Sequence, residues 1–126
     1  MAALATGVVV VVALLHVWFL VLEMFLWTKP FGRKVFGTSA EHAEIQAKLA
    51  ANQGLYNGFL AAGLLWTLAS DGVVRGRAVL TFFLGCVVVA GIYGAATANP
   101  RIFWVQAIPA LVALGAVWAT PDTTRR

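Results

Sequence analysis

Long apolar runs, interrupted by isolated polar positions, make up most of this chain. Residues 3–27, 49–70, 78–98 and 102–120 carry very few charges, and about 20 apolar residues suffice to cross the hydrocarbon core of a bilayer as a helix. The pattern predicts an all-α integral membrane protein, a four-helix bundle in one domain, with a single sizeable extramembrane segment at residues 28–48. In this reading Pro30 and Gly32 stop the first helix. Thr38 stands three residues before Glu41, the spacing of a capping box in which hydroxyl and carboxylate satisfy the open backbone donors of a helix start. A helix begun there meets no breaker before residue 70. At about 1.5 Å per residue it outruns the membrane thickness, so its first turns form a short interfacial helix preceding the second span.

Polar residues inside the runs are unevenly distributed. Four spans alternate in direction, so the end of the first, the start of the second, the end of the third and the start of the fourth share one membrane face, side B. Glu23, Asn52, Gln53, Asn57, Tyr93, Thr97, Asn99 and Gln106 all fall in the side-B halves, whereas the opposite halves hold only Thr6, Thr67, Ser70, Thr81 and Cys86. Glu23, Gln53, Tyr93 and Gln106 come out roughly 6 to 8 Å below the side-B boundary, and Asn57 about 12 Å. Polar groups at such depth face other helices or a watery cavity rather than lipid. The expectation is a polar pocket open towards side B above an apolar floor.

Small residues mark where helices approach. Gly54 and Gly58 form a G-x-x-x-G, followed by Ala61, Ala62 and Gly63, and Ala90 with Gly94 and Gly91 with Ala95 repeat the small-x-x-x-small spacing. In lipid such faces pack helices within one copy or between copies, which makes a homo-oligomer an expected state. Pro109 removes a backbone donor and frees the carbonyl of Val105 one turn back, with Gln106 three residues before the proline, so this stretch either kinks or adds hydrogen-bonding groups to the pocket. Pro100 opens the fourth helix.

Composition agrees with the spans. A chain of 126 residues with 61% hydrophobic and 11% charged residues and a mean hydropathy of +0.86 is far more apolar than a soluble domain. The first apolar run lacks a basic n-region, exceeds an h-region in length and is followed by Trp27-Thr-Lys-Pro30, so it is expected to be a retained span and not a cleaved signal. The expected location is the cell membrane, multi-pass. Cys86 is the single cysteine, which excludes an intrachain disulfide or a cysteine metal cluster. The net charge of +4 lies in loops and tail, where it suits anionic lipid headgroups, and its cations are too scattered to track nucleic acid. Lys29, Arg33, Lys34, Lys48 and Arg101 fall on side B against Arg75, Arg77, Arg125, Arg126 and the amino terminus on the other, so the positive-inside rule gives no orientation.

The chemistry centres on Glu23, an ionisable group inside a span and therefore a functional candidate. His16 shares its helix face seven residues earlier, but about 10 Å along the axis separates the two and they cannot bind one metal ion. No metal site or cofactor is expected. The candidate ligand-binding set is Glu23, Asn52, Gln53, Asn57, Tyr93, Gln106 and Arg101, with Glu23 the first and His16 the second choice should a reaction be catalysed. Without a nucleophile–base pair or a phosphate loop, binding of a small, partly polar molecule or a lipid headgroup is the leading reading. A small oligomeric proton-coupled transporter is the alternative, although its site is expected near the midplane. An accessory membrane subunit is the third reading. The five tryptophans read as interfacial anchors, apart from Trp18.

Residues 23–27 (EMFLW), 31–37 (FGRKVFG), 52–59 (NQGLYNGF), 91–94 (GIYG) and 106–110 (QAIPA) together resemble the bacterial membrane-protein family called "domain of unknown function 1304". The resemblance covers nearly the whole chain and is most specific in the Asn52 to Gly58 stretch. It implies a small multi-spanning membrane protein and no activity. The motif residues it rests on include the polar groups gathered by depth.

Overall fold

Helix α1 (Ala2–Met24) follows the first apolar run, and α2 (Pro30–Phe36), α3 (Ala40–Ser70), α4 (Gly72–Arg75), α5 (Arg77–Thr97), a π-helical turn (Phe103–Ala107) and α6 (Ile108–Ala119) complete the element order. The computed structural model describes residues 1–122, and no strand occurs among them. The described chain divides into two compact units, Leu14–Ala61 and residues 1–13 together with 62–122.

The Leu14–Ala61 unit contains the end of α1, all of α2 and the first two thirds of α3. Pro30 was expected to stop a helix; instead it sits in the first turn of α2, where its missing N–H goes unused and its fixed φ favours helix. Gly32 lets that helix reach the chain before it, since a Cβ there would lie 1.8 Å from the Leu26 carbonyl oxygen. Gly37 ends α2 in the left-handed region at φ 64°, and its N–H returns to the Arg33 carbonyl. The start of α3 also differs from the expected capping box. The Ser39 hydroxyl accepts the His42 N–H at 3.2 Å, so Ser39 is the cap. Glu41 is thereby only the second helical residue, one short of the position a reciprocal box with Thr38 requires. From there α3 runs unbroken for 31 residues, as its lack of breakers implied. The Trp27 indole N–H donates to the Ala43 carbonyl at 3.1 Å, and its ring packs on Phe36 with centroids 4.5 Å apart. Ala43, Ala50, Gly54, Asn57 and Ala61 are the buried positions of α3 in this unit, a single face at helical spacing.

In the other unit the buried stripe of α5 is Leu80, Leu84, Val87 and Gly91, and the π-turn and α6 contribute Ala107, Ala110, Ala113 and Val117. Large residues on one helix thus meet small ones on the next. A Cβ on Gly91 would come within 2.7 Å of the Ala107 backbone nitrogen, and one on Gly63 within 2.3 Å of the Phe83 ring. The π-turn has a covalent cause: Pro109 offers Val105 no N–H, and the helix adapts by widening, with the Ile108 N–H bonding back to Phe103.

Two of the four expected spans, α1 and α5, are helices long and apolar enough to cross a membrane, and only 28% and 22% of their apolar windows are buried. The core helix of a soluble protein would be mostly buried; α5 instead exposes Phe82, Val89 and Ile92. Asn52, Gln53 and Asn57 dilute the hydropathy of α3, and Phe103–Ala119 is a shorter apolar stretch.

Candidate functional site

Glu23 lies in the last turn of α1, half-buried, where the middle of α3 presents Gly54 and Gly58. A Cβ on Gly54 would stand 3.0 Å from Glu23 Cβ, 2.8 Å from Met24 Cγ and 3.2 Å from the Leu20 carbonyl oxygen, and one on Gly58 would stand 2.6 Å from Leu20 Cδ1. The G-x-x-x-G is therefore occupied within the chain, by α1. Asn57 falls between its two glycines and is only 6% exposed. Its Nδ2 donates to Glu23 Oε2 at 2.7 Å. The close approach that the glycines allow is what brings a short carboxamide within reach of the carboxylate.

The other candidates on α3 stand differently. Asn52 and Gln53 are exposed, as is Tyr56, whose ring meets Phe59 edge-on at 5.7 Å. Helical spacing alone put Gln53 with Asn57, but four residues leave it on the rim of the face that Asn57 occupies. His16 is buried and meets the Phe19 ring edge-on at 5.3 Å. Among the described residues no group of three or more His, Cys, Asp or Glu is placed to hold a metal ion.

Tyr93, Gln106 and Arg101 belong to the other unit. Tyr93 is exposed, Gln106 is half-buried inside the π-turn, and Arg101 is exposed with its backbone N–H accepted by Asn99 Oδ1 at 3.0 Å. That unit also holds a cluster that sequence reading missed. The Arg77 guanidinium donates to the Thr120 carbonyl and lies over the Trp118 ring, 5.4 Å from its centroid. The Trp118 indole N–H donates to the Thr81 hydroxyl at 3.1 Å, which in turn donates to the Arg77 carbonyl at 2.7 Å. Trp118 is thus tied to α5 by both ring and N–H, which its reading as an interfacial anchor did not include. The signal available beforehand was an arginine at the first position of one apolar helix and a tryptophan near the end of the next.

An all-helical protein with two helices able to span a membrane and a carboxylate paired across helices is the class these features define. The model of a family described as "Protein of unknown function (DUF1304)" matches residues 10–118, and the chain belongs to that family. It is 28% identical over 105 residues to "Uncharacterized protein YpaA" of Lactococcus lactis subsp. lactis (strain IL1403), covering 82% of this chain and 87% of that protein. No solved structure matches it. Both Glu23 and Asn57 lie inside the matched region.

Proposed function

We propose that the chain is a multi-pass protein of the cell membrane with four spans, and that it binds a small, partly polar molecule or a lipid headgroup at the Glu23–Asn57 pair. The observation that carries this reading is the 2.7 Å bond from Asn57 to Glu23 in a seam otherwise built of glycine and aliphatic side chains. A carboxyl has about four lone-pair sites, and Asn57 takes one. Glu23 is only half-buried, so the remaining positions are open to a polar guest, with exposed Asn52 and Gln53 on the preceding turn of α3 as orienting groups. The poorly buried apolar surfaces of α1 and α5 support the membrane setting. Packing alone is served by glycine and alanine; a carboxylate on α1 facing an α3 stretch with three carboxamides within six residues is not needed for it.

Native mass spectrometry of the gently extracted protein beside Glu23→Gln and Asn57→Ala tests this. A defined adduct on the wild type, lost from variants that elute with unchanged mass and oligomeric state, is the expected result. An adduct-free wild type, or an adduct indifferent to both substitutions, refutes the binding reading and moves the case to proton-coupled flux assays.

A further inference from the structure

Between Trp27 and Ala40 the chain carries Lys29, Arg33 and Lys34 and no carboxylate. Helix α2 holds this segment in a defined form: Gly32 is buried, Phe36 packs its ring on Trp27 while staying partly exposed, and Phe31 lies beside Trp18 with ring centroids 6.3 Å apart. Phe31 and Val35, one helical turn apart, are left 54% and 49% exposed, with Lys34 exposed beside them. Phe25, just before the segment, is 63% exposed. Arg33 is half-buried with its Nε enclosed and lacking an acceptor. Among the described residues no carboxylate pairs with any of these three cations. The acids of the adjoining helix, Glu41 and Glu44, are exposed on its first turns.

From this arrangement we infer that α2 is a lipid-docking collar: Phe31 and Val35 enter the interface below the headgroups while Lys29, Arg33 and Lys34 engage the phosphates of anionic phospholipids. Charge complementarity selects that occupant, because three unneutralised cations beside an apolar stripe meet both requirements of an anionic interface, and neither a zwitterionic surface nor a purely apolar partner satisfies the charges. The inference rests on the membrane setting proposed above, but it concerns a surface separate from the Glu23–Asn57 pair.

The test uses the full chain in bilayer nanodiscs of phosphatidylcholine, and then in nanodiscs with equal amounts of phosphatidylcholine and phosphatidylglycerol. Native mass spectrometry after release counts the lipids retained. Preferential retention of phosphatidylglycerol is expected, weakening roughly fivefold for each engaged cation removed. The variant Lys29→Gln/Arg33→Gln/Lys34→Gln should lose the preference, and Arg75→Gln should keep it. Lys34→Glu alone, at an exposed position, should lower the preference even if the triple variant does not fold. Equal retention of the two lipids by the wild type, or an unchanged preference in folded Lys34→Glu, overturns the inference while leaving the membrane setting intact. Failure of the wild type to enter either nanodisc overturns both.

Discussion

Two glycines on α5 allow the packing of its unit to be measured with one chemical change. Gly→Ala in a helix interior gains about 0.8–1 kcal/mol from the lower backbone entropy of the unfolded chain. At Gly85 nothing lies within 4 Å of the added methyl group, so the gain should appear undiminished. At Gly91 the methyl would stand 2.7 Å from the Ala107 nitrogen, 2.9 Å from its Cβ and 3.0 Å from its Cα. Carbon atoms prefer about 3.5–4.0 Å, and the obstacle is backbone, which no rotamer change relieves. The π-turn and α5 must then separate, at an overpacking cost of about 1–3 kcal/mol. Because the propensity gain is common to both sites, Gly91→Ala should be less stable than Gly85→Ala by that same amount. Reversible unfolding in mixed micelles, followed by tryptophan fluorescence and circular dichroism, measures the difference. Equal stability of the two variants would refute the close approach of α5 to the π-turn and, with it, the account of why a glycine stands at position 91.

Ser39→Ala should cost about 1 kcal/mol of local stability at the start of α3, and Thr38→Ala nearly nothing, read as amide exchange at His42; the reverse order would restore the capping box. Arg77→Gln removes both the bond to the Thr120 carbonyl and the stacking on Trp118, with an expected loss of about 1–3 kcal/mol. Arg77→Lys should recover only part of it, since the planar guanidinium is what stacks; full recovery would reduce the cluster to a point charge. A double-mutant cycle of Glu23→Ala with Asn57→Ala should return a coupling of about 0.5–2 kcal/mol, and a coupling indistinguishable from zero would remove the pair as an energetic unit. Gly54→Ala should weaken that coupling while Gly58→Ala spares it, because the first methyl meets the Leu20 carbonyl and Glu23 Cβ and the second meets only the movable end of Leu20.

Long-period features were legible in the sequence and short-range ones were not. The unbroken course of α3 followed from an absence of breakers over 31 residues, and the close-packing role of Gly54, Gly58, Gly91 and Gly94 followed from small residues at helical spacing. Helix α2 does not follow from reading Pro30 and Gly32 as breakers: proline at the first turn is a start signal, and glycine is required at position 32 because a Cβ there would overlap the Leu26 carbonyl. The cap moved by one residue because Thr38 and Ser39 are chemically equivalent caps, and only the chain path after Gly37 chooses between them. The sequence predicted a freed carbonyl or a kink before Pro109; the missing donor alone does not choose between bending and the π-turn that the helix adopts. In the site, sequence depth set Glu23 level with Gln53 and placed Asn57 deeper, whereas the hydrogen bond to Glu23 comes from Asn57, because depth carries no angular information. It therefore could not separate Asn57, turned into the seam, from Gln53 and Asn52 on the exposed side.

That angular distinction explains why the polar pair and the glycines form one device. In the proposed membrane setting helices gain nothing from hydrophobic burial against each other, so contact geometry is set by how near the backbones can come. Gly54 and Gly58 let α3 settle against Leu20 and Glu23, and the residue enclosed between them is Asn57. Its short side chain reaches Glu23 at 2.7 Å across that narrow gap. Replacing the seam by ordinary aliphatic packing would keep two helices together but leave Glu23 with no donor at 2.7 Å. A carboxylate placed at the end of an apolar helix, held by a donor that only a glycine seam can deliver, is a costly arrangement for stability alone, since an apolar residue at position 23 would remove the desolvation penalty altogether. That cost is the argument for the proposed binding role of Glu23, and the glycines account for the approach that sets Asn57 at hydrogen-bonding distance from it.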